Sequence, residues 1–211
     1  MKIIEPSVEL INPIPYEIAL NTIEVAGRTC YQSHDKMTEG SAEDFIRRIV
    51  KRGHESVLEH VSVTARFVCD RGVSHEIVRH RIGAYSQEST RYCNYSGDKF
   101  GHEITVIRPC FWATCGVNNA TWYAAMQYVE DKYFELIEGG AKPQEARAVL
   151  PNSLKTTLVT TYNIREWRHF LRLRCAPGAH PQMIQVAQLA KELLMENYPV
   201  FFEDLGEGIH E

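Results

Sequence analysis

Residues 61–70 read VSVTARFVCD, and this stretch guides the interpretation of the chain around it. Apolar side chains occupy every second position and alternate with polar ones. The apolar positions are Val61, Val63, Ala65 and Phe67. Because a strand has a side-chain period of two, the pattern predicts a half-buried β-strand. We expect the strand to end at a turn formed by Asp70, Arg71 and Gly72.

The sequence on either side of this strand predicts a mixture of helices and strands. Helices are predicted at 42–52, from Ser74 to near Gly83, from Asn118 or Asn119 to Gly139, over 144–150, over 165–174 and from Pro181 onward. Further strands are predicted at 104–108 and 154–162. Ser41 and Asp44 predict a capping box for the first helix.

The order of these elements indicates the fold class. Helices and strands do not alternate regularly, and no G-x-G-x-x-G follows a strand, so a Rossmann fold is not expected. We expect an α+β fold in a single domain over 1–211, with a mainly antiparallel sheet packed by long helices.

The charge balance favours a small anionic ligand. The net charge of −4 disfavours nucleic-acid binding, which needs a basic surface. The chain nevertheless has 15 Arg against 8 Lys. Guanidinium groups suit phosphates and the edges of planar rings, so focused anion sites are expected.

The cysteines and the apolar runs narrow the class of protein further. Six cysteines are scattered without a C-x-x-C pair or a histidine at zinc-site spacing, so neither a disulfide scaffold nor a bound metal is expected. No apolar run approaches the roughly 20 residues that span a bilayer, and the first residues do not resemble a secretory signal. We therefore expect a cytoplasmic protein without membrane association.

The segment 79–91 is dense in hydrogen-bond donors. If Arg79-His80-Arg81 is helical, the side chains of Arg79 and Arg81 point about 200° apart, because each residue turns a helix by about 100°. They would then serve two ligands or two subunits. A solvated basic face is the alternative. We expect 84–101 to be a loop with short extended pieces, and long ordered loops tend to carry function.

A second set of arginines lies in the C-terminal half. Its members are Arg147, Arg165, Arg168, Arg172 and Arg174. Arg168 and Arg172 have the spacing of one outer stripe of a helix, and one interpretation is that they are merely solvated. Arg174 follows apolar residues at the helix end, so we expect its charge to have a partner.

The order of these segments resembles a known family. Arg79-His80-Arg81 is followed after seven residues by Ser89. This spacing resembles the signature of the flavin-dependent thymidylate synthases, which are unrelated to the cysteine-dependent thymidylate synthases. Other segments match in the same order, namely His54-Glu55-Ser56 with Glu59-His60, Arg147 before Val149-Leu150-Pro151, Asn163-Ile164-Arg165, and 170–174. The resemblance covers about residues 20–200.

The resemblance implies an activity, a set of cofactors and an assembly. The activity is reductive methylation of dUMP to dTMP, with 5,10-methylenetetrahydrofolate as one-carbon donor, FAD as relay and NADPH as reductant. The assembly is a homotetramer in which FAD lies at subunit junctions and each active site draws on more than one chain.

The resemblance also implies site residues by position. The FAD set is His54, Ser56, Glu59, Arg79, His80, Arg81, Gln87, Asn163, Arg165 and His169. The dUMP set is Glu76, Arg79, Gln87, Glu88, Ser89, Thr90, Arg91, Arg147 and Arg174. Arg79 and Gln87 belong to both sets, and Gln87 is expected to contact both ligands.

The side-chain types assign roles to several of these residues. Arg91 and Arg147 can grip the phosphate dianion, with Ser89 as a further donor. In family terms Arg174 lies against the uracil edge, where its charge stabilises negative charge on the ring and makes carbon 5 nucleophilic. Arg174 is thus the expected catalytic residue. The resemblance implies no covalent protein nucleophile, so Ser89 is assigned to binding.

Three positions depart from the family pattern. Glu76 stands where some relatives have Gln, Thr90 replaces a common Gly, and His169 replaces an Asn seen in some members. A carboxylate at Glu76 near a phosphorylated substrate is costly unless it faces the ribose or a basic group. Thr90 makes the loop less free than glycine to adopt positive φ.

Two other classes of function compete with this interpretation. A nucleic-acid-binding module could use the two arginine sets, but the negative net charge disfavours it. A metal-dependent hydrolase could use His54, His60, His75 and His80, but the family-like spacing accounts for three of these without a metal.

Overall fold

The structure, a computed structural model, describes residues 1–112 and 114–206 and is a mixed α+β fold, as the sequence predicts. The strands are Lys2–Ile4 (β1), Ser7–Leu10 (β2), Ser62–Asp70 (β3), Ala84–Gln87 (β4), Thr105–Ile107 (β5) and Lys155–Asn163 (β6). The helices are Tyr16–Thr29 (α1), Ser41–Lys51 (α2), Arg71–Ile77 (α3), Val117–Glu138 (α4), Pro143–Ala146 (α5), Ile164–Arg174 (α6), Pro181–Asn197 (α7) and Pro199–Phe202 (α8). In this described part of the chain, no helix combines the length and apolarity that crossing a membrane requires.

The strands form two sheets. The larger has the order β2-β3-β6-β4, and the smaller is a parallel pair of β1 with β5 in which Ile3 faces Val106. Backbone bonds show that β3 and β6 run antiparallel, because Arg71 N–H donates to the Leu154 carbonyl while Ile164 N–H donates to the Val61 carbonyl. The predicted antiparallel sheet is thus confirmed, whereas the small parallel pair was not expected.

The chain forms two compact units that interleave along the sequence. Unit 1 contains Met1–Ser7, Phe67–Arg79 and Ser86–Leu158, and unit 2 contains Val8–Arg66, His80–Tyr85 and the chain from Val159 onward. Strands β3 and β6 each run through both units. The single domain over 1–211 stays a prediction, and each unit is described separately below.

Unit 1 has an aromatic and aliphatic core around α4 and β5. Its buried members are Tyr95, Ile104, Val106, Trp122, Met126, Tyr133, Ala146 and Leu154. The indole N–H of Trp122 donates to the Ser153 hydroxyl at 3.1 Å, which satisfies the polar end of this large side chain.

Unit 2 has its core where the second half of β6 meets α6. Alternate side chains of β6 are buried, including Thr160 and Tyr162. The Tyr162 ring lies edge-on to Trp167 with 4.8 Å between centroids, and the Trp167 indole N–H donates to the Val63 carbonyl at 3.0 Å. These contacts join β3, β6 and α6 firmly, and α6 carries several predicted site residues.

Arg168 is fully buried in unit 2, so its interpretation as a solvated side chain is wrong. Its guanidinium group donates to Glu55 Oε1 at 3.0 Å, to both carboxylate oxygens of Asp204, and to the Phe201 carbonyl. Arg172, one turn later, is the exposed member of the stripe and contacts Glu55 at 2.7 Å. The helical spacing was right, but the C-terminal segment covers Arg168.

From these ion pairs we predict that the free energy of unfolding falls on acidification. Burial raises the pKa of the Glu55 carboxyl, but hydrogen bonds and charge interactions with Arg172 and Arg168 outweigh burial and hold that pKa below its ordinary value. Arg168 likewise outweighs burial and lowers the pKa of Asp204. The unfolded chain therefore binds more protons than the folded one in acid.

We expect the contribution of these pairs to the free energy of unfolding to be fully present above about pH 5. It should be lost as the pH falls, first through the pKa values that these carboxyls have in the unfolded chain and then through their lower pKa values in the folded chain. Urea titrations at several pH values measure this loss. The decline should be shallower in Arg168→Met, and equal slopes in both proteins would contradict the assignment.

Three local predictions are corrected by the structure of α3. Asp70 does not form a turn that ends β3; its Oδ1 accepts from Val73 N–H at 2.8 Å and caps α3. Ser74, the predicted cap, lies inside this helix. The helix ends at Ile77, so Arg79 and Arg81 lie outside it. Helical geometry therefore does not set their side chains about 200° apart.

The predicted capping box at Ser41 is also wrong. The Ser41 hydroxyl donates to Glu24 at 2.8 Å instead, and Gly40 is the residue that precedes α2. Glu24 belongs to α1, which the sequence interpretation did not include. The sequence signal for α1 was the helical spacing of the apolar residues Ala19, Leu20 and Ile23, which are buried in the structure.

Gly83 lies where the chain after the Arg-His-Arg segment approaches β6. A Cβ atom added there would lie 2.3 Å from the Tyr162 ring and 3.0 Å from the Thr161 carbonyl oxygen. We expect Gly83→Ala to lower the free energy of unfolding by about 1–3 kcal/mol through overpacking, measured in urea. Gly178→Ala is the matched control, because an added Cβ meets nothing within 4 Å there. Equal stability of the two variants would contradict this close approach.

Candidate active site

Unit 2 positions one group of predicted site residues through the start of α6. Asn163 ends β6, and its Oδ1 accepts from Glu166 N–H at 2.9 Å, which caps the helix as predicted. The cap sets the direction in which the helix leaves the sheet. Predicted site residues Arg165, His169 and Arg174 are thereby carried on one rigid element.

His80 lies beside His169 and Arg174 of this group and is 4% exposed. Its Nδ1 lies 2.9 Å from Glu166 Oε1, and its Nε2 lies 3.0 Å from Arg174 Nε. Burial lowers the pKa of His80, and the Arg174 charge acts in the same direction, whereas the hydrogen bond to Glu166 opposes them. Arg174 therefore has the partner that its position at the helix end required.

A cavity of about 420 Å³ lies in unit 2, and Arg165 at the start of α6 is part of its lining. Its lining includes three residues of the predicted FAD set, His54, Ser56 and Arg165. The remaining lining residues are Gly27, Cys30, Tyr31, Phe45, Ile49, Gly53, Glu55 and Val57. Apolar walls with a few polar groups at the rim are typical of sites for cofactors. Helix α1 contributes Gly27 to this wall, and neither the helix nor its part in the cavity was predicted from the sequence.

Glu59, another residue of the predicted FAD set, is joined to the cavity through an ion pair. Its Oε1 lies 2.6 Å from Arg165 Nη1, and both side chains are about half exposed. Arg81 is also exposed in unit 2. Because surface pairs of this kind contribute little to stability, Arg165 can exchange its partner for a ligand at low cost.

Unit 1 holds most of the predicted dUMP set in the segment after β4. The Gln87 amide nitrogen donates to the Ser74 hydroxyl at 2.8 Å and to the Thr156 hydroxyl at 3.2 Å. Both amide hydrogens are then used, so the amide oxygen is the group that Gln87 can offer to a ligand. Neither Ser74 nor Thr156 was predicted as a site residue.

Thr90 and Arg147 are brought together although they are distant in sequence. Arg147 Nη1 donates to the Thr90 hydroxyl at 3.4 Å, and Thr90 is buried while Arg147 is exposed. Arg91 is also exposed, and its guanidinium carbon lies 5.5 Å from the centroid of the Tyr92 ring. Arg91 N–H donates to the Ser89 hydroxyl at 3.3 Å. Unit 1 thus presents two arginines, Arg91 and Arg147, whose side chains are exposed to solvent and can bind an anion.

The two carboxylates of the predicted dUMP set differ in their surroundings. Glu88 Oε2 lies 2.6 Å from Lys155 Nζ, and the Tyr95 hydroxyl donates to Glu88 Oε1 at 3.3 Å. Lys155, which the sequence interpretation missed, therefore neutralises Glu88. Glu76 lies in α3, and its carbonyl accepts from Arg79 N–H at 3.2 Å.

A group of potential metal ligands occurs in the described part of unit 2. Ligand atoms of His80, Glu166 and His169 all lie within 4.8 Å of one another. His80 uses one ring nitrogen toward Glu166 and the other toward Arg174, so neither is available as a lone pair for a cation. Of the histidines in the competing hydrolase interpretation, His80 is the one found in this group.

Known proteins resemble this chain over nearly its whole length. Residues 14–200 match the sequence model of the family described as thymidylate synthase complementing protein. A flavin-dependent thymidylate synthase of Geobacter sulfurreducens is 34% identical, with 88% of this chain and 82% of the relative covered. Another, of Corynebacterium aurimucosum, is also 34% identical, with 86% and 78% covered.

A solved structure supports the fold. The UMP/dUMP methylase PolB from Streptomyces cacaoi, bound with 5-Br dUMP, superposes with a TM-score of 0.78 at 24% identity, covering 98% of this chain and 97% of PolB. The fold is of the mixed α+β class, and the sequence relatives show that the chain is an enzyme. The chain belongs to the flavin-dependent thymidylate synthase family, which confirms the resemblance seen in the sequence.

Proposed function

We propose that this chain methylates dUMP to dTMP, with 5,10-methylenetetrahydrofolate as the one-carbon donor, bound FAD and NADPH as the reductant. The observation that carries the proposal is the extent of the family match. It spans residues 14–200, and every predicted site residue lies inside it. The geometry of the two units supports the assignment of these residues to two ligands.

The cavity of unit 2 supports the binding of FAD. Its apolar wall includes Phe45 and Ile49, and Tyr31, which is 73% exposed, offers an aromatic face for a planar ring. Arg165 and Ser56 supply donors for phosphate or hydroxyl groups. FAD, when bound, supplies the relay of the one-carbon unit and the hydride.

The segment 87–91 of unit 1 supports the binding of the nucleotide. Arg91 and Arg147 present exposed guanidinium groups that can form paired hydrogen bonds with a phosphate dianion. The amide oxygen of Gln87 suits an N–H or hydroxyl donor, because Ser74 and Thr156 accept from its nitrogen. We assign Ser89 to binding rather than to covalent attack.

Arg174 is proposed to act on the uracil ring itself. Its fixed positive charge would stabilise negative charge that develops on the ring when carbon 5 attacks the one-carbon unit. The contact with His80 orients the side chain before substrate binds.

We propose a homotetramer in which each active site draws on more than one chain. Exposed apolar side chains on α4 support an interface there, since Val117 is 82% and Tyr128 is 62% exposed. Light scattering should give the mass of four copies of a 24.2 kDa chain. A monomer that retains full activity would exclude shared sites.

Absorbance and tritium release test the proposed activity. Purified protein supplied with FAD should show a flavin spectrum, and dUMP labelled with tritium at carbon 5 should release the label only when the folate donor and NADPH are both present. UMP serves as the comparison substrate, because it differs from dUMP by the 2′-hydroxyl. Protein that retains no flavin, or that releases no tritium, would count against the proposal.

A further inference from the structure

Glu166 and Arg174 lie near the two ends of α6, and His80 connects them. Glu166 is in the first turn, where the sequence suggested only a role in capping. His80 comes from the separate segment His80–Tyr85 and bonds to both side chains. We propose that Glu166 is a positioning residue, which acts through His80 to orient Arg174 toward the uracil ring. This inference rests on the proposed function, in which Arg174 acts on that ring.

The hydrogen bonds define the state of the imidazole. A guanidinium N–H can only donate, so His80 Nε2 must accept from Arg174 Nε. The ring is then neutral with its proton on Nδ1, and that N–H donates to the Glu166 carboxylate. Glu166 thus selects the tautomer in which Nε2 carries the lone pair that holds Arg174.

Burial makes this selection effective. His80 is 4% and Glu166 is 6% exposed, so their hydrogen bond is shielded from competing water. The centroid of the His80 ring lies 5.1 Å from that of the Phe170 ring, and the backbone carbonyl of His80 accepts from the Tyr85 hydroxyl. The ring is therefore held from several sides, and the direction of Nε2 toward Arg174 is set before substrate binds.

A cation site is the competing explanation for the same cluster. His80, Glu166 and His169 are close enough to share an ion, but the Arg174 charge beside His80 opposes a second cation. An ion would also have to displace Arg174 or the Nδ1 proton. The hydrogen-bond pattern therefore favours the positioning role.

The test compares Glu166→Gln with Glu166→Asp. Gln has the size of Glu but no charge, and its amide can donate to Nδ1 and so select the wrong tautomer. We expect Glu166→Gln to lower kcat for tritium release by about 10-fold to 100-fold, the effect of removing carboxylates that orient histidines in metal sites. The KM for dUMP should change little, and Glu166→Asp should recover much of the lost kcat. Glu192→Gln, an exposed change on α7, should behave as wild type.

The pH profile separates positioning from a purely structural role. The groups that influence the His80 charge are Glu166, His169 and Arg174 on α6, together with the neighbouring hydroxyls of Tyr162 and Tyr85. Protonation of Nε2 would break the Arg174 contact, so kcat should fall in acid. Because Glu166 raises the pKa of His80, its replacement by Gln should move this acid limb to lower pH.

The outcomes of these measurements are distinct. Inactive wild-type protein would contradict the proposed function, whereas active wild type with an equally active Glu166→Gln variant would contradict the positioning role alone. Stoichiometric zinc in wild type that is lost in Glu166→Gln would favour the cation site and overturn the inference. A Glu166→Gln protein with lowered kcat, an unchanged flavin spectrum and a shifted acid limb would support it.

Discussion

Replacing Arg174 with lysine is expected to lower kcat by about 10²-fold to 10³-fold while the dissociation constant of dUMP changes little. That is the size of effect seen when one preorganised donor to a developing anion is removed. Lysine keeps the charge, but its single ammonium group cannot bond His80 from one nitrogen and present two others to a planar ring. The Nε to Nε2 contact of 3.0 Å would be lost as well.

The measurement for Arg174→Lys is tritium release from dUMP at saturating folate donor and NADPH, with dUMP binding determined separately. Arg172→Lys is the matched control, because it makes the same change two residues away on an exposed side chain that pairs with Glu55. The control should retain wild-type turnover. Wild-type kcat in Arg174→Lys would remove Arg174 from the proposed chemistry.

Replacing Arg168 with methionine is expected to destabilise the fold by about 3 kcal/mol, because it leaves the partly buried Glu55 carboxylate and the buried Phe201 carbonyl without their hydrogen-bond donor. The Arg168 side chain is fully buried and joins Glu55, Asp204 and the Phe201 carbonyl. Methionine has a similar length but cannot donate. The loss therefore comes from uncompensated polar groups more than from packing.

Urea unfolding measures this effect, with Arg172→Met as control. The Arg172 side chain is 43% exposed, so its removal should cost no more than about 1 kcal/mol. Equal stability losses in the two variants would show that burial of Arg168 does not matter. A variant of Arg168 that unfolds at a lower urea concentration than wild type, yet binds flavin at low temperature, would support a purely structural role.

Much of the fold was predictable because its signals are local. The alternating pattern at 61–67 predicted β3, and the Thr- and Val-rich stretch at 154–162 predicted β6. Asn163 and Glu166 predicted the start of α6, since capping needs only residues three apart in sequence. Where two local signals competed, the prediction failed: Asp70 caps α3, although Ser74 is an equally suitable residue type.

The residues of the candidate site are a prediction from the sequence, and their contacts with one another could not be predicted. The apolar residues that precede Arg174 in the sequence predicted a partner for its charge, and the structure supplies His80 from a segment 94 residues earlier. Lys155 beside Glu88 and Ser74 beside Gln87 had no sequence signal of their own. Pairings of this kind depend on which strands become neighbours, and a single sequence does not state this.

The sequence by itself determined the family, the mixed α+β class, the strands β3 and β6, and the arginine-rich composition of the candidate site. The class and the strands follow from periodicity, which acts over a few residues, whereas the family follows from the resemblance of motifs spread over residues 54–174. Only the tertiary structure decided that Arg168 is buried, that Arg79 and Arg81 lie outside a helix, and that His80 links Glu166 to Arg174. Burial and long-range hydrogen bonds depend on segments that meet only after folding, because desolvation is a property of the packed chain.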